Sequence, residues 1–432
     1  MPPIAAAGRL DTMKIMNRRT VLVATTLGAL LAVAAPGTVA AAAPARVQSP
    51  AAAARFQSPA AAARVSSPAA VAGDRRGDPG CRPGTLDPAP LQQAIAGLPD
   101  GDATSAQVRI TTPDGCWTGT SGVRDLRSQA PVPPDARFRA GSVTKAFTAA
   151  LVLQLVAEGR IGLDAPVQRL LPGLLPAGYP TVTVRQLLDH TSGLPSPTVP
   201  DGIEWQLAHR YDRWTPEQLV RLGLHNPREF DPGTKQHYTN MGYIVAGMLI
   251  EKATGHSYAT ELDRRIARPL GLRDTYAPGD DPRIRGPHAH GYQAVVRDGR
   301  TELVDVTTWS QTFTPASGNI ISSLTDLDVF LTALLAGRVV PAAQLTTMFT
   351  LPTVPDVDGG PARYSTGLTA FPLPDGDALW IKTGSRYGYL AGIASSRDGR
   401  FRVEYSITGT DAKGEELSAT AQRVIAAALA LL

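Results

Sequence analysis

The chain of 432 residues is 43% hydrophobic and 19% charged, a globular composition with length for about two average domains. Its formal charge of +4 is concentrated at the start: seven basic residues against Asp11 place +6 in residues 1–73 and leave −2 on the remainder, which excludes a nucleic-acid surface built from clustered Lys and Arg. The seven histidines contain no H-E-x-x-H and only His288 and His290 lie close together, so the sequence predicts no metal and no cofactor.

The stretch "MKIMNRRTVLVATTLGALLAVAAPGTVAAAAPA" carries Lys14, Arg18 and Arg19 ahead of an apolar run. The run is about 15 residues before Pro36 and Gly37, short of the roughly 20 that span a bilayer. Residues 1–42 are therefore expected to be a secretory signal peptide, cleaved without leaving a membrane span. The paired arginines fit a twin-arginine signal and an ordinary basic n-region equally. Three nine-residue units follow, "ARVQSPAAA", "ARFQSPAAA" and "ARVSSPAAV". Rich in Ala, Pro and Ser, they cannot bury a core, and residues 43–80 are expected to be a linker. Export, to the medium or the cell wall, permits a disulfide, and Cys81 and Cys116 are the chain's two cysteines, so they are expected to pair.

Residues 81–432 are expected to form one domain. "LDPAPLQQAIAGL" reads as a helix, and "AQVRITTPDGCWTGTSGVRD" as two strands joined at Pro113-Asp114-Gly115. "ALWIKTGSRYGYLAGIASSRDGRFRVEYSITG" gives three more strands, and "ELSATAQRVIAAALALL" a closing helix. The fold class predicted is α/β (α+β): an antiparallel sheet built from both chain ends and flanked by helices, with a mainly helical lobe inserted at about 180–300.

Three short motifs carry chemistry. In "RAGSVTKAFTAALVLQLVAEGR", Ser142 and Lys145 stand three residues apart at the start of an apolar helical pattern, which puts both on one side. The chain contains six lysines among 42 basic residues, and lysine, unlike arginine, loses its proton when buried. Lys145 is thus a candidate base for a Ser142 nucleophile. Tyr238-Thr239-Asn240 offers a proton relay in Tyr238 and an amide contact for substrate in Asn240. "WIKTGS" sets Lys382 on a strand to hold a carboxylate. Small Thr383 and Gly384 admit a substrate chain there, and the Ser385 N–H joins that of Ser142 as an oxyanion hole.

These motifs in this order resemble the serine β-lactamase and penicillin-binding protein superfamily, whose signature is S-x-x-K, Y-x-N, K-T-G. The resemblance covers about residues 85–430 and includes "TVTVRQLLDHTSGLP" and "NIISSLTDLDVFLTALLAG". It is closest to secreted D-alanyl-D-alanine carboxypeptidases and class C β-lactamases. It implies a β-lactamase/transpeptidase-like fold in which Ser142 is acylated, Lys145 is the base, Tyr238 relays a proton, Asn240 contacts the substrate amide and Lys382 anchors a carboxylate. The implied partners are a peptidoglycan stem peptide, or a related acyl-D-Ala substrate, and β-lactams as covalent inhibitors. Several related carboxypeptidases carry His where this chain has Lys382, so a class C-like β-lactamase, an esterase or a D-aminopeptidase of the superfamily is the alternative. A non-catalytic cell-wall binding module is the alternative of another class.

Overall fold

Residue 81, residues 84–414 and residues 416–432 are described by a computed structural model; the expected signal peptide at 1–42 and linker at 43–80 lie outside the described residues. After helix α1 (Ala89–Ala94), strands β1 (Ala103–Thr112) and β2 (Gly115–Gly122) form a hairpin turning at Pro113-Asp114. A disulfide joins Cys81 to Cys116, tying the start of the domain to β2. The helical half follows as α2 (Thr144–Ala157), α3 (Val184–Leu188), α4 (Met241–Thr254) and α5 (Leu324–Leu335). The chain then returns as β3 (Thr369–Pro372), β4 (Ala378–Arg386), β5 (Tyr389–Ser395), β6 (Arg402–Gly409) and α6 (Ala419–Leu429).

The main sheet is antiparallel in the order β2-β1-β6-β5-β4-β3, so β1 from one chain end pairs with β6 from the other, Val108 opposite Tyr405. β1 is buried at nearly every position rather than at alternate ones. The reason is that both faces are covered. Ala106, Val108 and Ile110 pack against Ala421, Val424 and Ala428 of α6, and Arg109 on the other face pairs with Asp328 of α5 at 3.1 Å. Pro372 ends β3 at the sheet's edge, where a missing N–H is tolerated.

α2 and α4 are sheathed on all sides, and their buried residues form the larger of the two main cores. α3 is started by a capping box in which Thr183 and Gln186 each bond the other's main chain. α4 crosses α3 closely at Gly242, where a Cβ would come within 2.3 Å of the Leu187 carbonyl. The lobe expected at 180–300 contains α3, α4 and helices at Ile203–Ala208, Pro216–Gly223 and Tyr258–Leu262. It ends differently from the helical expectation, in a hairpin of Tyr292–Arg297 with Arg300–Asp305. Asp298 and Gly299 both have positive φ, 49° and 73°, which is the turn that a two-residue hairpin requires.

Candidate active site

Ser142 lies at the junction of the sheet and the helical half. It sits in a short 3-10 turn, Gly141–Val143, that leads into α2, rather than on the α-helix itself. Gly141 has φ +52°, and the Thr144 hydroxyl donates to the Gly141 carbonyl at 2.7 Å while accepting the Ile320 N–H at 3.1 Å. The turn is thereby fixed, with the Ser142 N–H among the unpaired amides of a helix start.

Strand β4 supplies the second amide. Tyr387-Gly388 is the two-residue loop between β4 and β5, so the pairs Arg386–Tyr389, Gly384–Ala391 and Lys382–Ile393 carry the ladder hydrogen bonds. The main-chain groups of Thr383 and Ser385 therefore point to the opposite edge, which β3 leaves open beyond Ile381. Gly384 permits the approach: a Cβ there would lie 2.0 Å from the Ala140 carbonyl oxygen and 2.7 Å from the Ser142 nitrogen. A Cβ on Gly141 would reach the Ser385 nitrogen at 2.6 Å. The N–H groups of Ser142 and Ser385 thus converge beside the Ser142 hydroxyl.

Lys145 is 0% exposed. Its Nζ stands 2.7 Å from Asn240 Oδ1, 2.8 Å from the Ser317 carbonyl oxygen and 3.1 Å from Ser142 Oγ. Burial pushes its pKa well below the usual lysine value, and the charges of Lys382 and Lys413 push the same way. A neutral amine has two hydrogens and one lone pair. The two hydrogens match the Asn240 and Ser317 oxygens, which leaves the lone pair to accept the Ser142 proton.

Tyr238 is half-buried against the same group, its ring centroid 4.8 Å from Lys145 Nζ and 5.0 Å from Lys382 Nζ. Its hydroxyl makes no hydrogen bond of standard geometry among the described residues. Burial raises its pKa, an effect that nearby Ser142 only partly offsets. Tyr238 is therefore a neutral phenol, suited to donate a proton rather than to take one, which separates its role from that of Lys145.

His190 holds this tyrosine in place. Its ring centroid is 4.6 Å from that of Tyr238, and its Nδ1 accepts the Thr239 N–H at 3.3 Å. Burial holds the imidazole neutral, as an acceptor at Nδ1 requires. Asn240 begins α4, but its side chain makes no cap bond there; its carbonyl is used by Lys145, and its amide NH2 remains for a ligand.

Lys382 is 3% exposed, donates to the Thr383 carbonyl at 2.9 Å and is pushed down to about 7 by burial. Thr383 and Ser385 alternate with it along β4, so their side chains face the opposite way and their main-chain groups border the site. Thr383 there lines an apolar cavity with Phe371, Ile381 and Tyr405. The Ser317 carbonyl is the participant that sequence reasoning missed. The Ala316 carbonyl just before it accepts from Thr148 Oγ1 at 2.6 Å, and Thr148 also bonds the Tyr258 hydroxyl at 2.8 Å.

Structural neighbours share this arrangement of sheet and helices. A D-stereospecific amidohydrolase from Streptomyces sp. is 34% identical, with a TM-score of 0.68, over 79% of this chain and 98% of that one. A penicillin-binding protein from Bacillus halodurans, 20% identical with a TM-score of 0.64 over 80% of this chain and 98% of that one, shares the fold. Among curated proteins, esterase EstB of Burkholderia gladioli is 35% identical over 41% of this chain and 47% of its own length. Penicillin-binding protein 4* of Bacillus subtilis is 32% identical over 40% and 38%. The chain thus spans under half the length of these curated relatives. The family model described as Beta-lactamase matches residues 91–427, and on that extent the chain belongs to the beta-lactamase family of serine hydrolases, within the superfamily that includes the penicillin-binding proteins.

Proposed function

We propose that the chain is an exported D-alanyl-D-alanine-type carboxypeptidase that works through an acyl-enzyme on Ser142. The observation that carries this reading is the environment of Lys145: a buried lysine with two acceptors for its hydrogens and a serine hydroxyl 3.1 Å from its nitrogen. Ser142 Oγ attacks the penultimate D-alanine carbonyl as Lys145 takes its proton, and the Ser142 and Ser385 N–H groups stabilise the oxyanion. The C–N bond then breaks, Tyr238 or protonated Lys145 supplies the proton that the amine needs, and free D-alanine leaves. Water hydrolyses the ester. A β-lactam acylates Ser142 by the same step, but its opened ring stays attached and slows the water. The substrate class is supported by Lys382, which lies beside an open strand edge where an extended peptide with a C-terminal carboxylate can bind. A peptidoglycan stem peptide fits that description.

A second reading is favoured by one observation. Lys382 at about 7 is only partly charged at neutral pH, which suits an uncharged amide as well as an acid. The similarity to the D-stereospecific amidohydrolase points the same way. The test is kcat/KM for N-acyl-Lys-D-Ala-D-Ala against its C-terminal amide. A clear preference for the acid, with D-alanine released, supports the carboxypeptidase; equal or better cleavage of the amide assigns an amidase instead.

A further inference from the structure

Gly384 abuts the Ser142 turn, and the two residues that share its face of β4 are both cations, Lys382 on one side and Arg386 on the other. Their Cα atoms are about 13 Å apart along the strand. Arg386 is 7% exposed, and its Nε is buried without a hydrogen bond. Among the described residues its guanidinium forms no salt bridge. A buried cation left without a carboxylate is costly to the fold, and it marks a place where an anion is to be supplied.

A second basic residue, Lys413, which burial pushes down to about 7, reaches the same end of the sheet. β6 runs antiparallel to β5, so the loop that follows Gly409 lies beside the Tyr387-Gly388 hairpin. That loop is pinned where the Ala294 N–H donates to the Thr410 carbonyl at 2.7 Å and Gln293 Nε2 donates to Asp411 Oδ1 at 3.1 Å. It carries Lys413, for which no hydrogen bond or ion pair occurs among the described residues. The strand pairing brings this loop and Arg386 to the same end of the sheet, near enough that the charge of Arg386 bears on Lys413 and that of Lys413 on Lys145. The loop's sequence also carries Asp411, Glu415 and Glu416, of which Asp411 accepts from Gln293.

We propose that Arg386 and Lys413 form an anion subsite on the acyl side of Ser142 that accepts a carboxylate on the residue preceding the acylated D-alanine. This rests on the carboxypeptidase reading, in which Lys382 takes the leaving group's carboxylate, so a substrate laid along the open edge meets Arg386 at its other end. The preferred substrate is then an acidic peptide, anionic on both sides of the scissile bond.

The test is calorimetric affinity of Ser142→Ala protein for N-acetyl-Glu-D-Ala-D-Ala and for its Gln counterpart, which differ only in that charge. The Glu peptide should bind at least about tenfold more tightly, and the ratio should fall to about one in Ser142→Ala carrying either Lys413→Gln or Arg386→Gln. Equal affinities for the two peptides, or a ratio that survives both substitutions, would overturn the subsite. Turnover of the neutral Gln peptide by the unaltered chain separates the two claims: D-alanine release with no preference for Glu leaves the carboxypeptidase standing without the subsite, and a preference for Glu without D-alanine release leaves the subsite standing without the carboxypeptidase.

Discussion

Replacing Lys145 with arginine keeps a long cationic side chain and removes the one property that the proposed mechanism uses. In the folded protein Lys145 Nζ meets two fixed acceptors, Asn240 Oδ1 at 2.7 Å and the Ser317 carbonyl at 2.8 Å, and Ser142 Oγ at 3.1 Å. A guanidinium can still donate to both acceptors, but it has no lone pair for the serine proton at any working pH. The loss expected is that of a general base, about 10²–10⁴ in the acylation rate, or about 3–5.5 kcal/mol of barrier. Lys145→Met leaves both acceptors unpaired, which adds about 1–3 kcal/mol of instability for each buried group, and it should lose a similar factor in rate. Acylation is followed by stopped-flow with a fluorescent penicillin, with near-UV circular dichroism to confirm that each variant folds. An arginine variant that acylates within tenfold of the unaltered chain would refute the argument that Lys145 acts by accepting a proton.

Lys382→Ala should raise KM for peptides with a free C-terminal carboxylate and leave their amides nearly unaffected, since it removes a charge-assisted contact of about 1.5–3 kcal/mol; steady-state kinetics on the matched pair decides this, and equal losses would move Lys382 into the proton relay. The pH profile follows from the two lysines. Acylation should rise with pH through the lowered pKa of Lys145 and then level off, whereas kcat/KM for carboxylate substrates should fall as Lys382 loses its charge near pH 7, a fall that amide substrates should not show. Gly384→Ala would set a Cβ 2.0 Å from the Ala140 carbonyl and force β4 off the Ser142 turn, so penicillin labelling should slow by about 10²-fold, the usual cost of a misplacement near 1 Å. Removing the disulfide by Cys81→Ser with Cys116→Ser opens a loop with a sequence separation of 35 and should cost about 4 kcal/mol, read from denaturant midpoints with and without the substitutions.

That Ser142, Lys145, Tyr238, Asn240 and Lys382 would gather was legible because the roles proposed for them need particular residue types, and the motifs keep those types at short spacings. Main-chain participants outside those motifs have no such signature, whereas the Ser142 and Ser385 N–H groups could be read because they lie within them. The Ser317 carbonyl, 172 residues from Lys145, could not be read from any side chain. Nor could the use of Asn240 by Lys145, because a partner 95 residues away is set only by how α2 packs on α4. The strands at both chain ends announced themselves by turns such as Pro113-Asp114-Gly115. Strand β3, "TAFP", was hidden by its length and its proline. The hairpin at Tyr292–Asp305 carried a readable Asp298-Gly299 turn, and it was missed because it was absorbed into a lobe expected to be helical. Arg386 and Lys413 could not be linked beforehand, since only the antiparallel return of β6 brings them to one end of the sheet.

The most direct test of the account is the intact mass of the protein after incubation with benzylpenicillin, followed by peptide mapping of the adduct. A β-lactam opens on attack without losing an atom, so the account predicts a gain equal to one whole penicillin, mapped to Ser142 and abolished in Ser142→Ala. No mass gain in the unaltered chain, or an adduct that persists in Ser142→Ala, would contradict it.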